Sequence, residues 1–484
     1  MPTAQQKSQK VLKPSKVHAF KNDVLGEFDA VALAELIKAG EVSSKEVVLA
    51  TIERARQVDP LLNAIVTDRF EESLTETKTN IGFFEGLPTF IKDMTHVEGL
   101  PSYYGSEAFS NPKPAKKSDP IIEQMKAIGF APLGCSSMSE FGFTCSTEFN
   151  HQKDTRNPWN INHTPGGSSG GSAALVASGV VPLAHAADGG GSIRIPAAAC
   201  GLVGLKPSRG RLLKSDLFKN QPIDIAIDGV LTRSVRDTAY FYAEAEKHFK
   251  NPKLPKIGLV NEPTSKVLNI GYTTNSINGM KADECSSSEL LKTVQLLESL
   301  GHIVRPVALT IPDQFVEDFA NVWAMNAFFI HRFGKVLLDP SFKSNEVTQL
   351  TKGLSKSYLK NCYKTPGIAV RMKKTYHQYS RMFEELNIDL FLTPTIASSA
   401  PEIGYFGMNL NFEELFDRII NWTCFTPYAN ASGGPSISLP LGFDQDNGLP
   451  IGMLFWANHG QEKLLLELAL QLEEAQPWRK ITED

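Results

Sequence analysis

The sequence predicts an α/β fold, on two observations. Short apolar runs alternate with longer stretches whose apolar residues recur at helical spacing, from about residue 29 to residue 475. Most of the longer stretches end at a glycine or an Asp-Pro pair, where a helix stops. Strands and helices in alternation pack as a sheet covered by helices.

The first helix starts near Asp29, buries Leu33, Leu36 and Ile37, and ends at Gly40 in a left-handed cap. Ser43 and Glu46 form a capping box ahead of Val47, Leu49, Ile52 and Ala55, and Asp59-Pro60 is expected to stop that helix. Residues 62–67 read as a strand. Ser118-Asp119-Pro120 opens a helix with proline in its first turn; Ile121, Ile122, Met125 and Ile128 are its apolar face and Gly129 its stop. A strand is expected over 130–133 and another over 256–260. A helix over 288–300 ends at Gly301, followed by a strand over 302–307. Residues 389–392 read as a short buried strand, and Leu464, Leu465, Leu468 and Leu472 mark the last helix. Residues 312–385 are helical in character and contribute no chemical motif; they are expected to shape the substrate site.

Hydrophobic residues make up 42% and charged residues 21%, which supports a large core and excludes a disordered chain. The net charge of −4 gives no electrostatic case for nucleic acid or an anionic membrane. No apolar run is long enough to cross a bilayer, so no membrane partner is expected. The six cysteines are scattered, with no CxxC pair, and fit reduced thiols in the cytoplasm. The histidines show no HExxH pairing, and neither a metal nor another cofactor is expected. Residues 1–22, polar and Lys-rich without an apolar stretch, read as a flexible arm rather than a signal peptide. Residues 23–484 are expected to form one domain, since no linker divides them; a homodimer is the default assembly.

The chemistry concentrates in two glycine-rich turns. Pro165-Gly166-Gly167-Ser168-Ser169-Gly170-Gly171-Ser172 comes first, and Ala187-Asp188-Gly189-Gly190-Gly191-Ser192-Ile193-Arg194 follows, with Ser168 and Ser192 24 positions apart. Three glycines before a serine let several backbone N–H groups converge where an oxyanion develops. Ser168 precedes a small-residue helix, in the favourable field of its N-terminus. No GxxxxGK[ST] phosphate loop is present. Gly167 to Gly171 formally matches GxSxG, but residues 157–164 before it are polar and turn-like, not the strand of a nucleophile elbow. Upstream, the apolar run through Phe90-Ile91 delivers Lys92 at its end.

Together these residues resemble the amidase signature family. The resemblance rests on Ile91-Lys92-Asp93, on the two serine turns and their spacing, and on Cys200-Gly201-Leu202-Val203-Gly204-Leu205-Lys206-Pro207. It continues in Thr155-Arg156-Asn157-Pro158-Trp159 and in Gly448-Leu449-Pro450-Ile451-Gly452. It implies a mixed, twisted central sheet wrapped by helices, with a catalytic core over about 62–240 and 386–475 and a variable helical region over about 312–385. It implies hydrolysis of a small non-peptide amide by a triad in which Ser192 is the nucleophile, Ser168 the bridging serine on a cis peptide, and Lys92 the terminal base. Gly189, Gly190, Gly191 and Ser192 are expected to form the oxyanion hole, with Ser169, Asp188 and Arg194 in support. Met138, Phe141 and Phe143 are expected to line the pocket. Within the family, Ser438-Leu439-Pro440 and Pro401-Glu402-Ile403-Gly404 are most similar to bacterial amidases of the 6-aminohexanoate cyclic-dimer hydrolase type. The alternatives are a glutamine-hydrolysing amidotransferase subunit and an inactive scaffold; the Ser-Ser-Leu-Asp-Gln motif expected of the first is missing. The chain departs from the family at Cys135-Ser136-Ser137, Gly189 and Leu454, which the resemblance makes candidates for altered activity or specificity.

Overall fold

The computed structural model describes residues 16–75 and 82–483. Eleven strands are present among them: β1 Ile65–Asp68, β2 Pro88–Lys92, β3 Ala131–Ser136, β4 Leu183–Asp188, β5 Val203–Lys206, β6 Ile227–Thr232, β7 Asn269–Tyr272, β8 Ile303–Pro306, β9 Leu390–Pro394, β10 Ser436–Asp444 and β11 Leu449–Ala457. Eight of them form one mixed sheet in the order β4-β6-β5-β10-β11-β9-β7-β8. Pairing is antiparallel from β4 to β9 and parallel across β9, β7 and β8. A small sheet in the order β1-β3-β2 delivers Lys92.

The central strands are covered on both faces, and their side chains alternate between two cores. Leu390, Leu392, Met453 and Phe455 pack against the helices Val235–His248, Glu284–Ser299 and Glu462–Ala475. Phe391, Leu454 and Trp456, one residue out of phase, pack against Phe315–Leu337, Gln349–Asn361 and Thr365–Glu385. The region expected to be helical is these last three helices. The buried Glu140 carboxylate fastens it to the catalytic side, accepting from Ser106 Oγ at 2.7 Å, Thr348 Oγ1 at 2.5 Å and Thr351 Oγ1 at 2.6 Å.

Local signals read correctly where they were chemical. Asp29 caps Ala30–Ala39 and Gly40 closes it at φ 74°. The Ser43/Glu46 box forms in both directions. Pro120 opens Pro120–Ala127. Three expectations need correction. The helix Ser44–Leu62 runs through Pro60 and stops at Asn63, which takes the left-handed conformation while Asp59 accepts the Ala64 and Ile65 N–H groups. Residues 256–260 form no strand: Gly258 sits at φ +63°, and the Ile257 and Gly258 N–H groups bond the Glu246 carboxylate instead of a ladder. Of the expected arm, residues 1–15 lie outside the described residues, but 16–20 are buried or half-buried, with Lys21 and Asn22 exposed. Val17 and Ala19 are buried and their N–H groups bond Pro158 O and Ser178 O at 2.8 Å.

Candidate active site

Three elements converge on one cavity of ≈560 Å³. The five residues of β2 are all buried, so the strand carries Lys92 into the interior. Within the first serine turn, just ahead of the helix Gly170–Ala177, the Gly167–Ser168 peptide is cis. Strand β4 ends at Asp188 and leads through the three glycines to Ser192 and the helix Arg194–Cys200. Lys92, Ser168 and Ser192 all line the cavity.

Lys92 Nζ donates to Ser168 Oγ at 2.7 Å and to Ala187 O at 3.1 Å. It is 1% exposed, and burial brings its ammonium down to about 7 against the opposing pull of Asp188 and Asp228. A second layer orients it. The Lys92 backbone N–H points at His185 Nδ1 at 3.4 Å, which makes that nitrogen the acceptor and leaves the proton on Nε2, 3.2 Å from Asp228 Oδ1. Ser169 Oγ donates to Ala187 O at 3.2 Å, steadying the end of β4 beside the lysine.

The second turn is held from behind by Asp188 and Arg194. Burial alone raises a carboxyl; the Arg194 charge and its hydrogen bonds, with those of Asn430, reverse this and hold Asp188 well below the usual carboxylate range. Asp188 accepts the Gly191 N–H at 2.7 Å and the Ile193 N–H at 3.1 Å. This corrects one expectation: the Gly191 N–H, expected in an oxyanion hole, is taken up by Asp188. Gly191 instead has a steric role. At φ +137°, a Cβ there would collide with Thr426 Oγ1 and meet Ile195 Cδ1 at 2.6 Å.

Comparisons with known proteins give the family. The family model Amidase matches residues 46–466. The chain belongs to the amidase family. It is 44% identical over 471 residues to the putative amidase AmiC of Mycobacterium leprae, covering 96% of this chain and 99% of that one. It is 33% identical over 482 residues to the 6-aminohexanoate-cyclic-dimer hydrolase of Paenarthrobacter ureafaciens, covering 93% and 95%. Among solved structures, a 6-aminohexanoate cyclic dimer hydrolase complexed with substrate superimposes with TM-score 0.85 at 30% identity, covering 95% of this chain and 99% of that one. A bacterial aryl acylamidase of the amidase signature family does so with TM-score 0.82 at 27% identity, covering 93% and 96%. The protein is therefore a hydrolase of carbon–nitrogen bonds in non-peptide amides.

The amidase cavity is mostly apolar. Of the three residues expected in a substrate pocket, Phe141 and Phe143 are on the cavity wall and Met138 is not, being fully buried behind Gly142. The remaining wall includes Phe218, Ile225, Phe319, Trp323, Phe329 and Ile420. Sequence reasoning missed Thr426 and Asn430, which anchor the second turn. Thr426 Oγ1 donates to Gly190 O at 2.6 Å, and Asn430 Nδ2 to Asp188 O at 3.0 Å. They lie 236 and 242 residues from their partners, and no local pattern marks them. The departure at Cys135-Ser136-Ser137 lies in and just after β3, off the cavity wall; burial raises the Cys135 thiol to about 12. Cys145 and Cys200 are also buried, with thiols raised by desolvation. Among the described residues, no His, Cys, Asp and Glu group could hold a metal ion.

Proposed function

We infer that this amidase works through a Ser192–Ser168–Lys92 triad on an uncharged, apolar carboxylic amide. The observation that carries the triad is the buried 2.7 Å contact between Lys92 Nζ and Ser168 Oγ, with the lysine brought near neutrality by desolvation. A normal lysine is protonated at pH 7 and cannot take a proton; a desolvated one can. Ser192 Oγ bonds the amide carbon while its proton passes to Ser168 Oγ, whose own proton moves to neutral Lys92. The Gly189, Gly190 and Ser192 N–H groups hold the oxyanion. As the carbon–nitrogen bond breaks, Ser168 protonates the leaving amine and is itself reprotonated by Lys92. Water then adds to the acyl-enzyme by the same route, releasing the acid and restoring Ser192.

The substrate class follows from the wall. Apart from Lys92, no lysine or arginine lines the cavity among the described residues. The α-carboxylate of glutamine has no cation to meet there, which disfavours the glutaminase alternative. Aromatic and aliphatic groups gain by burial against Phe141, Phe319 and Trp323. The test is a screen of wild type and Ser192→Ala on aryl, alkyl and cyclic amides and glutamine, read by released amine. Turnover of apolar amides that the variant loses supports the reading. Full activity in Ser192→Ala sinks the triad, and a preference for glutamine sinks the substrate class.

A further inference from the structure

The cavity reaches the surface at the C-terminal end of the helix Phe315–Leu337, where Leu337 both lines it and is 54% exposed. Phe333 and Val336 beside it are also exposed, Val336 at 87%. The apolar surface continues to the next helix. The Phe333 ring packs near Phe328 and Phe329, and Phe328 lies tilted against Tyr358 of Gln349–Asn361, ring centroids 5.2 Å apart. Beyond Tyr358, Leu359 and Tyr363 are exposed, Tyr363 at 75%. Single exposed apolar residues are ordinary; a ridge that runs into an apolar cavity marks an interaction surface.

This ridge carries its own charge. Residues 332–374 contain ten lysines and arginines against two acidic residues, in a chain of net charge −4; Lys343, Lys364 and Arg371 are paired with Glu346, Glu317 and Asp318, and the others include the exposed Arg332, Lys335, Lys356 and Lys360. The whole-chain value, which offers no reason to expect a bilayer, conceals a strongly basic segment. Arg332 and Lys335 flank Phe333 and Val336, Lys356 and Lys360 flank Leu359, and all four cations are exposed. Aromatic and aliphatic side chains among cations suit a surface that lies on anionic lipid, with rings at headgroup level and ammonium groups on phosphates. No helix among the described residues is long and apolar enough to cross a membrane, so contact would be at the interface only.

The geometry points to an anionic lipid bilayer as the partner of this face. A bilayer accounts for the basic charge and also for the continuity of the ridge with the cavity mouth, because apolar amides partition into lipid. That delivery role rests on the proposed substrate class; the docking does not.

The test is co-sedimentation of wild type and Ser192→Ala with vesicles of phosphatidylcholine alone or with added phosphatidylserine, at low and high salt. Both proteins are expected to pellet with the phosphatidylserine vesicles and to be released by salt. Lys335→Ala and Lys356→Ala are each expected to weaken partitioning about fivefold. Val336→Glu is expected to abolish it while leaving hydrolysis of a small soluble amide unchanged, since Val336 is not part of the cavity wall. Absence of phosphatidylserine-dependent binding at low salt overturns the proposal. So does binding that these variants leave intact, which would mean another surface. Self-association abolished by Val336→Glu, without vesicle binding, overturns it in favour of a second copy. Because Ser192→Ala is assayed alongside, failure of the catalytic reading would show separately.

Discussion

The Asp188 carboxylate and the Arg194 guanidinium meet in a fully buried two-point pair, Nε to Oδ2 and Nη2 to Oδ1, both at 2.9 Å. The pair closes a loop around Gly189–Ile193 and takes two of its backbone N–H groups. Its remaining polar atoms are satisfied by Thr426 O at 2.8 Å and Asn430 Oδ1 at 2.6 Å. A buried ion pair is weak evidence for stability by itself, but breaking one leaves a stranded charge. Asp188→Ala is therefore expected to cost about 3–5 kcal/mol in denaturant unfolding. Asp188→Asn, which keeps the shape, is expected to lower kcat far more than it raises KM. A stable Asp188→Asn enzyme with wild-type kcat would show that the pair does not set the turn.

In the proposed triad the Lys92 proton makes the rate depend on pH. Burial brings this group down to about 7, so it is protonated and idle below that pH and neutral above it. Plots of kcat/KM against pH are expected to rise through about 7 and then level, with no metal requirement. Lys92→Met should lose roughly 10³-fold in kcat at every pH. Lys92→Arg should not restore it, since a guanidinium stays charged. A flat profile from pH 5 to 9 would refute the neutral-lysine mechanism.

Gly189 and Gly191, on either side of Gly190 in the second turn, should respond differently to a single methyl group. At Gly189 a Cβ would find only Ala226 Cβ, at 3.9 Å, whereas at Gly191 it would meet Thr426 and Ile195. Gly189→Ala is expected to keep most of the activity, and Gly191→Ala to lose it along with thermal stability. Parallel kcat and melting measurements decide this; equal effects at both positions would contradict the steric account.

Phe319 sits over the turn, its ring 3.5 Å from where a Gly190 Cβ would be. Phe319→Ala is expected to raise KM for an aromatic amide about tenfold, the loss from partly unburying one ring. Acetamide, too small to reach that wall, should be handled as before. A uniform change for both substrates would mean that Phe319 shapes the turn and not the binding space.

The residues proposed to carry chemistry stand out in sequence because each needs a particular neighbour close in the chain. Ser192 requires its glycines, Asp29 and Gly40 require helix ends, and Lys92 needs a strand to reach the interior. What was hidden depends on distant chain. Nothing near Gly191 announces that Asp188 claims its N–H, and nothing near Thr426 or Asn430 announces that they brace a turn more than two hundred residues away. The strand expected over 256–260 failed for the same kind of reason, since Glu246 offers its carboxylate from another element. Met138 reads as a pocket residue alongside Phe141 and Phe143, yet it is fully buried beyond Gly142 and off the cavity wall.

Glu140 bears on how such an enzyme could be rebuilt. Its carboxylate takes hydroxyls from both sides of the molecule, Ser106 from the catalytic side and Thr348 and Thr351 from the helical segment. Exchanging residues 312–385 with those of a relative to import a new specificity would thus separate an acceptor from its donors unless Ser106 and Glu140 were matched in the recipient. The segment is interchangeable only together with two residues that precede it by some two hundred positions, and a chimera that ignores them begins with a carboxylate buried and unanswered.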